Sequence, residues 1–131
     1  METLLKILDE TTALTKDTDL FAYEIGLDRS GAWLSEVQTP STFNGTGYQE
    51  FDLYVRFKDK AQGMKNIKYL KTTIDALSGS EGMCKLADGT TFKLTMLYTF
   101  DFLETDSEHY YVWTTRLGLL ADEPKTPPVS A

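Results

Sequence analysis

The sequence predicts an α+β domain with a mainly antiparallel β-sheet and two helices packed on one side of it, in the order α-β-β-β-α-β-β-β. Two segments carry apolar residues at helical spacing, and several others alternate apolar with polar residues as strands do. An Asp-Gly pair between two strand-like runs adds a hairpin. The 131 residues fit one domain, which we place at residues 1–121. Residues 122–131 carry three prolines and predict an extended or mobile tail.

The N-terminal third predicts one helix and two strands. A helix is expected over residues 3–14, where one helical face carries Leu4, Ile7, Leu8 and Leu14. Residues 20–27 are rich in aromatic and branched side chains, which favour a strand. A turn at residues 28–31 makes residues 32–37 the candidate hairpin partner of that strand.

The central stretch QEFDLYVRFKDKAQGMKNIKYLK, residues 49–71, changes from strand to helix periodicity within three residues. Its first part predicts a strand with a core face of Phe51, Leu53, Val55 and Phe57 and a solvent face of Asp52, Tyr54, Arg56 and Lys58. Asp59 then begins a helix, with Gln62 as a plausible capping partner, and Gly79 ends it. The apolar stripe of this helix is expected to be Met64, Ile67, Leu70, Ile74 and Leu77.

The last elements form two hairpins. Asp88 and Gly89 occupy the turn of the first, and the strand after them continues to about Leu103. A turn follows, and residues 109–121 return as the final strand.

Composition and charge argue against several classes of protein. The net charge of −7 and the pI of about 4.6 disfavour nucleic-acid binding and anionic membrane surfaces. The single cysteine, Cys84, allows neither an internal disulfide nor a cysteine-based zinc site. The N-terminal residues do not resemble a signal peptide, and no apolar run approaches the roughly 18 residues of a membrane span. The simplest interpretation is an intracellular, soluble protein.

The residues predict no catalytic, cofactor or metal site, and therefore no enzyme. His109 is the only histidine, and Cys84 has no recognisable catalytic context. No glycine loop fits a nucleotide fingerprint. The paired carboxylates, such as Glu104 with Asp106, lie in turns, where solvated side chains are the expected state. A structural or interaction protein is the better prediction.

Interaction surfaces are expected where large side chains lie outside a small core. The polar loop at residues 38–47 contains one aromatic residue that either packs back on the domain or anchors to a partner. Rings on the outer face of a sheet also tend to need a partner. The candidate subunit-interface residues are Phe43, Tyr54, Arg56, Trp113 and Pro127.

One stretch carries a family resemblance. YQEFDLYVRFKDKAQGMKNIKYLKTTIDAL, residues 48–77, resembles the strand–helix unit of the minor capsid and tail-terminator proteins of tailed bacteriophages. In that family a strand runs directly into an amphipathic helix, and the strand ends in an aromatic or aliphatic residue, an arginine, and then an aromatic residue or glycine. The predicted helix at 2–14, the hairpin at 19–37 and the long hairpin at 90–120 are similar to the family in order and length.

The resemblance implies a structural role in the virion. Such proteins form a ring, typically of six subunits, at the head-proximal end of the tail of a long-tailed phage or prophage. The ring stops polymerisation of the tail-tube protein and offers the surface joined to the head, where a head-completion protein binds. It implies no cofactor, no catalysis, no membrane and no sequence-specific nucleic-acid binding. It also implies assembly in the host cytoplasm and a final location in the tail or neck.

Two alternatives remain open at this point. One is another head–tail connector, such as a head-completion protein, or a stand-alone binding domain. The other is a small ligand-binding or enzymatic α+β domain that uses the sheet face with His109 and the neighbouring tyrosines.

Overall fold

The computed structural model describes residues 1–26, 29–37 and 48–122. Its elements are α1 Glu2–Thr11, β1 Leu20–Ala22, β2 Gly31–Val37, β3 Tyr48–Phe57, α2 Lys60–Ser78, β4 Cys84–Lys85, β5 Thr91–Thr105 and β6 Tyr111–Asp122. The strands form one six-stranded sheet in the order β1-β2-β3-β6-β5-β4. Every neighbouring pair except β1 and β2 is antiparallel. The predicted fold class, an α+β domain with a mainly antiparallel sheet, is confirmed.

The expected hairpin between the first two strands is wrong, because β1 and β2 are parallel. Leu20 lies opposite Ala32, and Ala22 lies opposite Leu34. Tyr23 ends β1, since its φ of 68° is left-handed and takes the chain out of the extended ladder.

The core face predicted for β3 is confirmed, whereas Arg56 on the predicted solvent face is buried. Phe51, Leu53 and Val55 are fully buried, and Phe57 is half-buried against the same core. Apolar residues of both helices belong to this single cluster, among them Leu4 and Leu8 of α1 and Ile67, Leu70 and Ile74 of α2. Both helices therefore cover the same face of the sheet.

The stripe predicted for α2 is correct except at its N-terminal end. Met64 is 57% exposed, and the buried residue of that turn is Gly63. A Cβ atom at Gly63 would lie 2.4 Å from the ring of Trp113 on β6. The indole thus fills the space that a side chain would need, and the helix is rotated so that glycine faces the sheet.

The predicted ends of α2 are confirmed. The Asp59 carboxylate accepts hydrogen bonds from the backbone N–H groups of Ala61 and Gln62 at 2.8 and 3.2 Å. Gly79 caps the C-terminus with a φ of −82°, so it ends the helix without a left-handed conformation.

The Asp-Gly hairpin turn is confirmed and is fastened to α1. Gly89 has a φ of 92°, and the Leu86 N–H donates to the Thr90 carbonyl at 2.8 Å. Lys6 Nζ lies 2.6 Å from an oxygen of Asp88. This contact links α1 to the turn at the β4 edge of the sheet. It holds the pKa of the Asp88 carboxyl below its usual range, with the Thr90 backbone N–H adding to the effect.

The lowered pKa of Asp88 predicts that the stability of the fold depends slightly on pH, in a defined direction. A carboxyl whose pKa is lower in the folded than in the unfolded chain stabilises the fold above about pH 4, and this contribution is lost as the pH falls through the folded-state pKa. Asp88→Asn should therefore lower the melting temperature slightly at pH 7, and the difference from the wild type should shrink below about pH 4. Melting curves across pH test this, with Glu81→Gln as control, because the Glu81 carboxylate is exposed and makes no ion pair within the described residues. A melting-temperature difference between Asp88→Asn and the wild type that grows as the pH falls would contradict this prediction.

Three chain ends meet at one end of the sheet. β2 ends at Val37 beside the start of β3, and the start of β3 pairs with the C-terminal residues of β6. β6 extends to Asp122, one residue past the predicted domain boundary. Residues 38–47 and 123–131, with the candidate interface residues Phe43 and Pro127, lie outside the described residues. Neither described helix has both the length and the apolar character needed to cross a membrane.

Candidate functional site: the open face of the sheet

The face of the sheet opposite the two helices is the most distinctive surface of the described chain. No described helix packs on it. Register and ring contacts place aromatic and charged side chains there in neighbouring strands. We call this surface the open face, and its main residues are Phe21, Trp33, Tyr48, Asp52, Tyr54, Tyr98 and Arg116.

Two of these rings form a cross-strand stack. Trp33 on β2 lies directly opposite Tyr54 on β3. Their ring centroids are 5.1 Å apart with an interplanar angle of 13°. Both rings are half-buried, and burial together with nearby Asp52 raises the pKa of the Tyr54 hydroxyl. The stack is a rigid apolar platform, since aromatic pairs of this geometry add stability beyond their buried area.

Beside the platform, a charged pair crosses from β6 to β3. Arg116 Nε and Nη2 lie 2.9 and 3.3 Å from the two carboxylate oxygens of Asp52. This bidentate hydrogen bond raises the pKa of the arginine. The guanidinium also lies 5.8 Å from the ring centre of Tyr98. Arg116 is thus held by its neighbours and connects β6 with β3 and β5 on the open face.

A cavity of about 290 Å³ opens on this face near the tip of the β5–β6 hairpin. Its apolar lining comes from Ile25, Trp33, Tyr54, Leu103 and Val112. Its acidic lining comes from Glu24, Glu104 and Asp106. Within the described residues, the carboxylates of Glu24 and Glu104 make no hydrogen bond or ion pair. The acid-rimmed cavity therefore combines an aromatic floor with two unpaired negative charges.

Arg56, predicted to face solvent and to contact a subunit, is buried and contributes to the lining of this cavity. It is 5% exposed. Its guanidinium donates to the carbonyls of Gly26 at 2.7 Å and Arg29 at 3.1 Å and lies 3.5 Å from Asp106. The Tyr110 ring centre is 4.2 Å away. The expected solvent exposure is wrong, because loop carbonyls, a carboxylate and a ring together satisfy the buried charge.

The other candidate interface residues divide between surface and core. Tyr54 lies on the open face, as described above. Trp113 is 5% exposed and packs under Gly63 on the helix side, so the exposed ring that its interface prediction assumed is absent. Trp33 and Arg116 were missed by the sequence prediction. The signal for Trp33 was its position between Ala32 and Leu34, whose burial sends the intervening side chain to the opposite face.

The outer half of β5 forms an open strand edge. β4 pairs with β5 only at Thr91 and Phe92. At the next part of β5, the Ser78 hydroxyl donates a hydrogen bond to the Leu94 carbonyl at 2.7 Å. Over residues 95–105, which we call the β5 edge, the described strand pairs only with β6, and bulges interrupt its register. Its exposed large apolar side chains are Leu97, Tyr98, Phe102 and Leu103.

The two residues considered for nucleophilic or acid–base chemistry lie apart. His109 has a φ of 66° in the turn before β6 and does not line the cavity. Cys84 lies in β4 with its sulfur 3.0 Å from the Ser80 hydroxyl. Among the described residues, no group of three or more His, Cys, Asp or Glu side chains is arranged to hold a metal ion.

The geometry therefore provides contact surface: an aromatic platform, an acid-rimmed cavity and a bare strand edge. In comparisons with known proteins, no family model matches this chain and no curated protein matches it in sequence.

Proposed function

We propose that this protein is a structural virion component of a long-tailed phage or prophage, without enzymatic activity, that forms a ring ending the tail tube and providing the head-joining surface. The observation that carries the proposal is that one small domain presents both the open face and the β5 edge. Both are large surfaces that a lone domain of this size does not need for its own stability. The resemblance of residues 48–77 to tail-terminator proteins supplies the kind of assembly.

The β5 edge supports an assembled state. Backbone N–H and C=O groups along an unpaired strand invite another chain, and soluble monomers usually protect such edges with charge, bulges or a covering element. Here bulges are present, but four large apolar side chains remain exposed on the same strand. A neighbouring subunit or the tail-tube protein would bury them.

The open face supports the same conclusion from its composition. Aromatic residues and arginine are enriched where proteins meet, whereas scattered lysines and glutamates are typical of free surface. Trp33, Tyr54, Tyr98 and Arg116 lie together there. The overall charge of −7 suits a ring through which DNA slides without sticking. In this role the ring meets the tail-tube protein on one side and the head-completion protein on the other, assembles in the host cytoplasm and remains in the virion.

Tube capping in vitro tests the proposal. Purified tail-tube subunit is polymerised with and without this protein, and tube lengths are measured by electron microscopy. We expect shorter tubes as the ratio of this protein to tube subunit rises, since each ring ends one tube. A charge-matched unrelated acidic protein is the control. Unchanged tube lengths, together with no binding to tube ends, would contradict the proposal.

A ligand-binding domain is the second candidate, and the acid-rimmed cavity is the observation that favours it. About 290 Å³ is at the lower end of the range for small-molecule sites. Its acidic rim would select a cationic aromatic or amine ligand. A monomeric protein whose melting temperature rises with such a ligand would favour this candidate over the ring.

A further inference from the structure

We propose that the ring, if the function proposed above holds, is built by seating the exposed face of α2 from one subunit on the acid-rimmed cavity of the next. The occupant is a second copy of this chain. Both halves of the contact are present in every subunit, on opposite sides of the sheet.

The cationic half lies on α2. This helix contains four lysines and one aspartate, although the whole chain is acidic. Lys60 lies 5.2 Å from the ring centre of Phe102, and Lys71 pairs with Asp75 at 2.8 Å. Lys65 and Lys68 are exposed and, within the described residues, have no hydrogen bond or ion pair. They are three residues apart, so they lie on one side of the helix.

Apolar side chains flank these two lysines. Met64 and Tyr69 are the exposed large apolar residues of α2, both more than half exposed. We call Met64, Lys65, Lys68 and Tyr69 the lysine face. The lysine face combines two apolar side chains with two cations that have no described partner. The cavity combines an aromatic floor with two anions that have no described partner, so the two surfaces are complementary.

The anionic half is the cavity rim on the open face. Asp106 already faces Arg56 at 3.5 Å, which leaves Glu24 and Glu104 as the available charges. Glu104 lies opposite Val112, whose side chain lines the cavity floor. Asp101 lies farther along the same strand, opposite Thr114, and adds a further exposed carboxylate.

The two halves cannot meet within one molecule. α2 packs on the core face of the sheet, and the cavity opens on the other face. A patch and a different complementary patch make a heterologous contact, which repeats from copy to copy and closes into a ring when the rotation allows it. A contact of one patch with itself would give a two-fold dimer instead.

Charge sets the register and rate of this contact more than its total strength. Exposed ion pairs contribute little binding free energy each, and apolar burial around them supplies the rest. Because the charges attract before contact, association should weaken with added salt.

Charge reversal tests the proposal by light scattering and sedimentation. Glu24→Lys/Glu104→Lys and Lys65→Glu/Lys68→Glu should each weaken self-association at least tenfold. The two reversed proteins complement each other at both contacts, so their equimolar mixture should assemble again into rings of alternating subunits. Glu81→Lys and Lys85→Glu, exposed residues outside both patches, are matched controls that should assemble like the wild type.

Each result decides the proposal. Rings that form equally well from both reversed variants would overturn this interface while leaving the ring function intact. Failure of the mixture to assemble, with both reversed variants folded by circular dichroism, would also overturn it. A wild type that stays monomeric at every concentration would overturn the interface, and failure to cap tubes would separately overturn the proposed function.

Discussion

Trp113→Ala should lower the free energy of unfolding by about 3–5 kcal/mol. The indole is 5% exposed, contacts Phe102 edge-on at a centroid distance of 5.6 Å and packs directly on α2 at Gly63. Its removal would leave a cavity between helix and sheet that the backbone cannot fill. Urea denaturation followed by circular dichroism measures the change.

Gly63→Ala provides the matched half of this experiment. Alanine favours the helix by about 1 kcal/mol over glycine, but its Cβ would lie 2.4 Å from the Trp113 ring. The clash should dominate, with a net loss of about 1–3 kcal/mol. In the Trp113→Ala background the same change should be neutral or stabilising. Additive costs in the double mutant would contradict this packing.

Arg56→Met should cost about 3–5 kcal/mol, because it removes a buried charge while leaving its partners behind. The carbonyls of Gly26 and Arg29 would each lose a guanidinium donor, and the Asp106 carboxylate would lose its cation while keeping the backbone N–H groups of Glu108 and Tyr110. Arg56→Lys should recover little of the loss, since one ammonium group cannot reproduce the spread of guanidinium donors. Thermal and urea unfolding measure both variants.

Lys58→Met is the control for the arginine experiment. Lys58 lies 4.7 Å from the centre of the Tyr110 ring that Arg56 also contacts, but it is exposed. Its replacement should cost less than about 1 kcal/mol. Equal losses at both positions would show that stacking on Tyr110, rather than the buried network, carries the effect.

The regular elements could be predicted from the sequence because their periodicity is local. The alternation through β3 identified Phe51, Leu53 and Val55 as core residues, and the Asp59 cap located the start of α2. Gly63 could not be identified in the same way, since its burial depends on a ring from a strand 50 residues later in the chain. The parallel pairing of β1 also has no local signal, as it follows from a backbone turn at Tyr23.

The candidate surface was only partly predictable. Tyr54 was expected on a solvent face and lies there, but its stacking partner Trp33 depends on strand register. Alternation alone cannot distinguish Arg56, which is buried by a loop folding over it, from Tyr54 two residues before it. The acid-rimmed cavity combines loop, strand and hairpin residues that are far apart in the sequence, so no motif marks it.

Electron microscopy of the purified protein, mixed with the tail-tube subunit proposed as its partner, tests most directly whether the protein caps a tube as a ring. We expect closed rings, with six subunits as the family resemblance implies, seated at one end of each tube. Their subunits should be related by a head-to-tail contact between α2 and the open face. Monomers scattered free of the tubes, or two-fold dimers joined through the β5 edge with tube ends bare, would contradict it.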